Sequence, residues 1–301
     1  MGHLRTDPRN VTSHSLDGPA VADGSFPVIL MRPLRGGLAP QYAVLAEDLA
    51  SHGYVVVGAD IPHTAQVVVY GDGSFAYRTE AGAPPEFAPG ITSPFAPGLP
   101  NDLFLPVLDV LVNDGSFLLD RLEELDTDDE RFAGSLDLDA VGAFGHSVGG
   151  TVALQFCASE IRCKAGINID GYFMGSVVET GLDEPFLFIS SDRPIWRKSI
   201  SERSDDERAM VAAINRVRTG LPNPVQMLVL KGSGHFSFVD AALTTSPILG
   251  RLTGSLGSID PVRGLASTRA YVAAFFDTYL KGRSETGLAE LQQEYPEMQV
   301  Q

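Results

Sequence analysis

Short apolar runs rich in β-branched residues alternate along the chain with segments of helical periodicity. The apolar runs predict strands at 26–32, 54–61, 139–145, 164–170, 185–191 and 224–232. The helical pattern lies between and after them, at 41–53, 101–125, 148–159, 204–220 and 267–282. This alternation is typical of parallel βαβ units. We therefore predict an α/β fold, with a mostly parallel central sheet flanked by helices on both faces.

The region from 62 to 104 departs from this alternation. The sequences VVVY and SFAY lie on either side of the GDG at 71–73, which predicts a small β-hairpin. Six prolines follow between 81 and 100, among aromatic residues, and they predict an irregular loop. We interpret 1–301 as a single domain, in which 62–104 is an irregular, aromatic and proline-rich pocket region.

The segment VGAFGHSVGGTVALQF places Ser147 at a turn from a strand into a helix. So sharp a turn strains the backbone of the serine and leaves no room for side chains beside it, a requirement that Gly145 and Gly149 meet. A third glycine, Gly150, lets the helix approach the sheet. The serine hydroxyl then lies clear of the sheet, and the backbone N–H of Val148 can point at a developing oxyanion. The pattern predicts that Ser147 is a nucleophile.

A serine hydroxyl is a poor nucleophile until a neighbouring base takes its proton, so one of the six histidines must supply that base. His235, in KGSGHFSF, follows the last predicted strand of the sheet on a glycine-rich loop. Ser147 lies at the same edge of the sheet, where open α/β sheets bind ligands. His235 is the predicted base, whereas His146 is expected to point away from the face of the nucleophile.

Two aspartates end strands at this edge, and either could orient the histidine. Asp170 closes KAGINID, and Asp192 follows PFLFISS. Both give the chain order Ser, Asp, His that is expected for the α/β-hydrolase fold. Spacing alone slightly favours Asp192, because the acid commonly follows the later strand.

Charge narrows the classes of partner. The chain has 22 Lys and Arg against 38 Asp and Glu, which gives a formal net charge of −16. This charge repels nucleic acid and anionic membrane surfaces at long range, so we expect small neutral or cationic substrates instead.

Cysteine content and apolar runs bear on the environment of the protein. Cys157 and Cys163 are too few for a disulfide scaffold or a structural zinc site, so we expect two free thiols, with one short-range disulfide as the alternative. No apolar run approaches the roughly 18 residues of a membrane helix. We expect a soluble protein without a transmembrane segment, either cytoplasmic or secreted with a leader already removed. The oligomeric state stays open.

Nearly the whole chain resembles one family. The stretch GHSVGGTVALQFCASEIRCKAGINIDGYFMGSV, followed by DEPFLFISSD and GSGHFSFVDAALTTSPILGRL, resembles the plasma type of platelet-activating factor acetylhydrolases and their bacterial relatives. The resemblance begins at FPVILMR and ends with STRAYVAAFFDTYLKG. It implies an α/β-hydrolase fold and ester hydrolysis by a Ser-His-Asp triad.

The resemblance also implies the roles of particular residues. The family's acid closes the strand directly after the nucleophile, 23 residues after the serine, and Asp170 stands 23 residues after Ser147. The two N–H groups of the oxyanion hole correspond to Val148 and Arg35. In the family, the loop that carries the second N–H group usually reads like SPGLGG, but here it reads RPLRGG. Leu34 therefore replaces a glycine and needs a negative φ.

The implied function is hydrolysis of short-acyl carboxylic esters through an acyl-enzyme, without a metal or an organic cofactor. Small or polymeric esters are the expected substrates. The expected pocket residues, each of which has ordinary packing as its alternative role, are Leu34, His63, Phe95, Trp196 and Phe236.

Three alternatives remain. A lipase or cutinase-like polyester hydrolase would use Asp192 as its acid. A lactonase or amidase would share the triad and differ in its pocket. A hydrolase-like binding protein would have a silent site, although all three triad positions are filled here.

Overall fold

A seven-stranded sheet lies at the centre of the computed structural model, which describes residues 13–82, 101–219, 226–245, 248, 250, 255–284 and 286–301. The described chain has the strands β1 (Phe26–Arg32), β2 (Val55–Gly58), β3 (Val67–Val69), β4 (Phe75–Tyr77), β5 (Leu136–His146), β6 (Cys163–Ile169), β7 (Phe186–Ser191), β8 (Gln226–Leu230) and β9 (Met298–Val300). Of these, β3 and β4 form a separate two-stranded sheet. The central sheet has the order β2-β1-β5-β6-β7-β8-β9. Its strands are parallel except for β9, which pairs antiparallel with β8.

Helices cover both faces of this sheet. They are α1 (Ala43–Ser51), α2 (Asn101–Asp128), α3 (Val148–Ser159), α4 (Val177–Thr180), α5 (Asp205–Thr219), α6 (Ala241–Thr244), α7 (Pro261–Lys281) and α8 (Thr286–Glu294). None of these helices, as far as the chain is described, is long and apolar enough to cross a lipid bilayer.

Strand β1 shows why both faces need covering. Successive side chains of a strand point to opposite faces. Val28 and Leu30 belong to one apolar cluster, together with buried residues of α2, α3 and α5. Ile29 and Met31 belong to the other, together with buried residues of α1 and α7. The predicted α/β class, with a mostly parallel sheet between two layers of helices, is confirmed.

The long helix α2 contains a proline and a glycine, two residue types that are unfavourable inside a helix. It runs without interruption through Pro106 and Gly115, the second of which would be a weak point in an isolated helix. A Cβ on Gly115 would lie 2.8 Å from the ring of Phe156 in α3. The glycine therefore allows close packing of α2 on α3, and this tertiary contact offsets its low helix propensity.

The predicted hairpin is present as β3 and β4, which pair antiparallel. Its inward face carries Val68 and Ala76, which are buried, whereas Val69, Phe75 and Tyr77 are exposed. Most of the predicted proline-rich loop, from 83 to 100, lies outside the described residues.

The two cysteines are not free thiols, which corrects the first of the two expectations. Cys157, near the end of α3, and Cys163, at the start of β6, form a disulfide, with 5.1 Å between their Cα atoms. The bond therefore connects the helix that follows Ser147 to the strand that precedes Asp170.

Candidate active site

Ser147 occupies the sharp turn between β5 and α3. Its backbone has φ 58° and ψ −121°, a conformation that is strained for a residue with a Cβ. A hydrogen bond of 2.8 Å from its N–H to the carbonyl oxygen of Ile169 holds the turn against the neighbouring strand. Strand, strained serine and helix follow one another as in a nucleophile elbow.

The glycines around Ser147 lie where a side chain could not fit. A Cβ on Gly145 would lie 2.2 Å from the backbone of Gly149, and one on Gly149 would lie 2.2 Å from the carbonyl oxygen of Arg32. A Cβ on Gly150 would lie 2.2 Å from Oδ1 of Asn168 in β6. The backbone at the start of α3 is therefore in close contact with the end of β1 and with the adjacent strand.

Asp170 follows β6 at the same edge of the sheet, with its side chain completely buried. Its backbone also lies in the left-handed region, with φ 51°. The carboxylate accepts hydrogen bonds from the Ser191 N–H (2.9 Å) and the Ser191 hydroxyl (2.8 Å). Its Oδ2 lies 2.6 Å from Nδ1 of His235. The structure thus brings the predicted acid and the predicted base into direct contact.

A third residue at this carboxylate, Arg193, was not foreseen. Its Nη2 lies 2.9 Å from Oδ1 of Asp170, and its Nε lies 3.1 Å from the same oxygen. Burial raises the pKa of Asp170, but the charge of Arg193, the hydrogen bond and charge of His235 and the Ser191 N–H together lower it far below its usual range. These contacts therefore favour the ionised form of the carboxylate.

His235 begins a short 3₁₀ helix, His235–Phe238, after β8. Its side chain is 34% exposed, and it lines a cavity of about 410 Å³ together with Ser147. The other described residues that line this cavity are Tyr172, Ser191, Asp192, Arg193, Pro194, Ser233 and Gly234. Among the described residues, no group of three or more His, Cys, Asp or Glu could hold a metal ion.

Asp192, the alternative acid, makes different contacts. Its Oδ1 lies 2.8 Å from Nζ of Lys231. Its Oδ2 accepts hydrogen bonds from the N–H of Gly232 (3.0 Å) and from the Arg197 guanidinium (3.1 Å). Asp192 therefore lies at the wall of the cavity but is held by these groups, whereas His235 contacts Asp170.

His146 and Tyr42 are buried and pack next to His235. The ring of His146 packs against the ring of His235, with 4.6 Å between their centres. Nδ1 of His146 lies 2.8 Å from the Tyr42 hydroxyl, which also accepts the N–H of Leu34 at 3.1 Å. Burial, followed by the charge of His235, lowers the pKa of His146 well below its usual value, so this ring stays neutral.

The two predicted oxyanion donors lie in neighbouring segments. Val148 is the first residue of α3, and Arg35 lies in a turn closed by a 2.9 Å hydrogen bond from the Gly37 N–H to the Leu34 carbonyl oxygen. Leu34 keeps a negative φ, while Gly36 takes the positive value of 78°. The change from glycine to leucine is thus accommodated without strain at that position.

Phe236, Trp196 and His63, three of the predicted pocket residues, lie in different surroundings. Phe236 is 42% exposed, and its ring lies edge-on to His235. Trp196 is not among the described residues that line the cavity; it packs against the apolar core, and its Nε1 donates to the hydroxyl of Ser190 in β7 at 3.0 Å. His63 is exposed and lies against the β-hairpin.

Of the remaining two predicted pocket residues, Leu34 alone lies in the described part of the chain. Leu34 packs against the apolar cluster under α1 and α7 and is not among the described lining residues. Phe95 lies outside the described residues. Sequence reasoning missed Tyr172, Arg193 and Pro194, whose signal was their position just after strand ends at the ligand-binding edge of the sheet.

The mostly parallel sheet and the strand–serine–helix turn define an α/β-hydrolase fold. The chain belongs to the family of platelet-activating factor acetylhydrolase, isoform II, whose family model matches residues 112–294. The resemblance on which the sequence analysis relied is therefore confirmed.

Individual relatives are distant. The chain is 25% identical to the platelet-activating factor acetylhydrolase of Bos taurus over 279 residues, which cover 85% of this chain and 57% of the relative. It is 26% identical over 289 residues to a probable 1-alkyl-2-acetylglycerophosphocholine esterase of Arthroderma benhamiae, covering 91% and 65% of the two chains. The chain thus spans less than two thirds of the length of these curated relatives.

A solved structure shares the fold. The ferulic acid esterase from Streptomyces cinnamoneus superposes with a TM-score of 0.72 and 26% sequence identity. The superposition covers 93% of this chain and 74% of that structure. The likeness therefore extends over almost the whole of the present chain.

Proposed function

We propose that the chain is a serine carboxylesterase that hydrolyses short-acyl esters. The observation that carries the proposal is the 2.6 Å contact between Nδ1 of His235 and the buried carboxylate of Asp170, in a cavity that Ser147 also lines. A carboxylate on Nδ1 orients the ring so that Nε2 is the free nitrogen, which can act as a base. The names of the relatives, all of which are esterases or acetylhydrolases, support this chemistry.

The proposed reaction has two acyl-transfer steps. Nε2 of His235 takes the proton of the Ser147 hydroxyl as its oxygen attacks the ester carbonyl carbon, and the same proton passes to the departing alcohol. Water then gives a proton to Nε2 as its oxygen attacks the acyl carbon, and that proton passes to the Ser147 oxygen as the bond between this oxygen and the acyl carbon breaks and the carboxylic acid is released. Asp170 offsets the charge of the imidazolium in both steps. The N–H groups of Val148 and Arg35 are proposed to stabilise the oxyanion.

The charges around the cavity support a neutral substrate. Arg193 pairs with Asp170, and Asp192 pairs with Lys231. These pairs leave no uncompensated charge among the described lining residues to attract an ionic group. A neutral ester, such as a small acetyl or butyryl ester, suits such a cleft better than an anion.

A second cavity supports a substrate of two parts. It has about 570 Å³ and shares Tyr172, Arg193 and Pro194 with the first. Ile195 and Met210 give it apolar surface. We propose that one side of the ester occupies the cavity at Ser147 while the other side extends over Tyr172 into this space.

Hydrolysis of p-nitrophenyl esters from acetate to dodecanoate tests the function directly. Activity is expected to be highest at acetate or butyrate. Ser147→Ala should lower kcat by at least about 10³-fold, because the three groups of a triad act as a unit. Labelling of Ser147 by a fluorophosphonate checks the nucleophile separately, and its absence would favour a silent binding protein.

Asp170→Asn and Asp192→Asn form a matched pair that identifies the acid. Asp170→Asn should lower kcat by about 10⁴-fold, because an amide favours the wrong tautomer of the histidine. Asp192→Asn should stay within a few-fold of the unmodified protein. If Asp192→Asn removes activity instead, or dodecanoate is the best substrate, the lipase or cutinase-like alternative holds.

A further inference from the structure

Arg193 contacts both the side-chain carboxylate and the backbone carbonyl group of Asp170. Besides the two contacts with Oδ1, its Nη2 donates to the backbone carbonyl oxygen of Asp170 at 2.9 Å. The guanidinium carbon lies 5.6 Å from the ring centre of Tyr172, two residues further along. The arginine side chain is 24% exposed, so its charge is largely shielded from water. A planar fork in three contacts with one residue has little freedom to move.

The two oxygens of the carboxylate serve different partners. Arg193 binds Oδ1, and His235 binds Oδ2. Ser191 adds one donor to each oxygen. A cation therefore lies on the side of the carboxylate opposite to the histidine, and it opposes the positive charge that His235 acquires during turnover.

The other charges near His235 are compensated or neutral. Asp192 is offset by Lys231 and Arg197. The described titratable and charged groups around His235 lie on several elements: His146 of β5, Asp170 and Tyr172 after β6, Asp192 and Arg193 after β7, Lys231 after β8, and Tyr42 through His146. His146 is neutral, as described above. Arg193 is therefore the cation that directly contacts the proposed acid among the described residues.

We propose, on the basis of the proposed function, that Arg193 is a positioning residue that fixes Asp170 against His235 and extends hydrolysis to lower pH. Without the arginine, the carboxylate would attract the imidazolium more strongly and would be free to rotate. The histidine would then hold its proton up to a higher pH and would lie less well aligned for proton transfer.

The test compares Arg193→Gln, Arg193→Lys and Arg197→Gln in short-acyl ester hydrolysis across pH. In Arg193→Gln, the midpoint of the acidic limb of kcat/KM should rise by about one pH unit, and kcat at its plateau should fall about tenfold while KM changes little. Arg193→Lys keeps the charge but not the fork, so it should restore most of the midpoint and only part of kcat. Arg197→Gln removes a cation that contacts Asp192 at 3.1 Å, but Lys231 still pairs with that carboxylate, so the midpoint should move far less than in Arg193→Gln.

Two results would overturn the proposal. One is an unchanged acidic midpoint in Arg193→Gln accompanied only by a lower unfolding temperature, which indicates a structural role. The other is a large rise in KM with an unchanged midpoint, which indicates that Arg193 binds substrate. If Arg193→Gln does not fold, a midpoint in Arg193→Lys that moves by a full unit would contradict the proposed effect of the charge.

An NMR titration separates this inference from the proposed function. Histidine labelled with ¹⁵N, with the His235 signal assigned through His235→Gln, reports protonation without any turnover. A higher midpoint for His235 in Arg193→Gln supports the role of Arg193 even if no ester is hydrolysed. An absence of Ser147-dependent hydrolysis would reject the proposed function alone.

Discussion

Two residues of the proposed triad have backbone conformations that residues other than glycine rarely adopt. Ser147 and Asp170 both have φ above 50°, although neither is glycine. Such conformations cost on the order of 1–3 kcal/mol each and persist only where neighbours impose them. The Ser147 N–H donates to Ile169, and the Asp170 N–H donates to Ile189 at 2.7 Å. The sheet itself therefore holds the proposed nucleophile and the proposed acid in place.

The Tyr42 hydroxyl connects Leu34, in the loop of the proposed oxyanion donor Arg35, to His146, so its removal should impair catalysis. Tyr42→Phe leaves the N–H of Leu34 and Nδ1 of His146 without their buried partner. We expect a loss of stability of about 1–3 kcal/mol. We also expect a fall in kcat of about tenfold from misplacement of the loop. Urea unfolding and ester hydrolysis measure the two effects.

Tyr271→Phe is the matched control for this prediction. Tyr271 is also buried, and its hydroxyl has no hydrogen-bond partner among the described residues. Its removal should leave kcat unchanged and cost no stability. If both tyrosine variants lose activity to the same extent, the hydrogen bonds of Tyr42 are not responsible.

The sequence supported Ser147 and His235 because each lies in a local pattern that has a mechanism. The choice between Asp170 and Asp192 required the family resemblance, and the contacts of Asp192 with Lys231 and Arg197 agree with that choice. Arg193 could not be foreseen, because its role depends on a contact between the ends of two different strands. No local spacing encodes such a contact.

At the scale of elements, the types of the longer elements were predictable, whereas their ends and the elements α4, α6, α8 and β9 were not. Helix α7 begins at Pro261, six residues before the predicted start, because Asp260 caps it by accepting the N–H of Arg263 at 3.0 Å. Strand β9 has only three residues, and its pairing with β8, not a pattern in its own sequence, makes it a strand. Short elements depend on tertiary contacts that no local pattern contains.

The disulfide between α3 and β6 should stabilise the fold. Removing it with Cys157→Ala and Cys163→Ala frees the unfolded chain from a short loop, with a sequence separation of 6. The chain-entropy relation gives a loss of about 2 kcal/mol. Both sites are buried, so the loss of packing adds to this cost. Urea unfolding of the double variant and of the oxidised protein measures the difference.

Reduction of the unmodified protein separates the bond from the packing. The reduced protein keeps both sulfur atoms, so its loss of stability should be smaller than that of the double alanine variant. Equal unfolding midpoints for the oxidised and the reduced protein would contradict a stabilising role for the bond.

At the scale of the whole molecule, Asp240 makes stability depend on pH. Its carboxylate accepts the N–H of Val44 at the start of α1, at 3.1 Å. Hydrogen bonds from the backbone lower the pKa of Asp240, but burial raises it by more. The pKa therefore lies at about 6. The folded state therefore binds this proton more tightly than the unfolded state, and the resulting stability is lost as the pH rises from about 4 to 6.

Asp240→Asn removes this titration while keeping an oxygen that can accept from Val44. Its free energy of unfolding, relative to the unmodified protein, should increase by about 1 kcal/mol between pH 4 and pH 7. Asp128→Asn, at an exposed position, is the control and should show no such change. Urea unfolding at several pH values measures both. A difference for Asp240→Asn that stays constant with pH would contradict the prediction.

The disulfide also bears on how specificity could diverge. It closes α3 onto β6, so Ser147 and Asp170 belong to one covalently reinforced unit. The residues between Pro194 and Met210 that line the second cavity lie outside that unit. Among them, Lys198 and Glu207 pair with each other at 2.6 Å, so substitutions at these two positions are expected to reshape the cleft with little effect on Ser147 or Asp170. For directed evolution, these are positions to randomise, while the reinforced unit, Arg193 and His235 are kept unchanged.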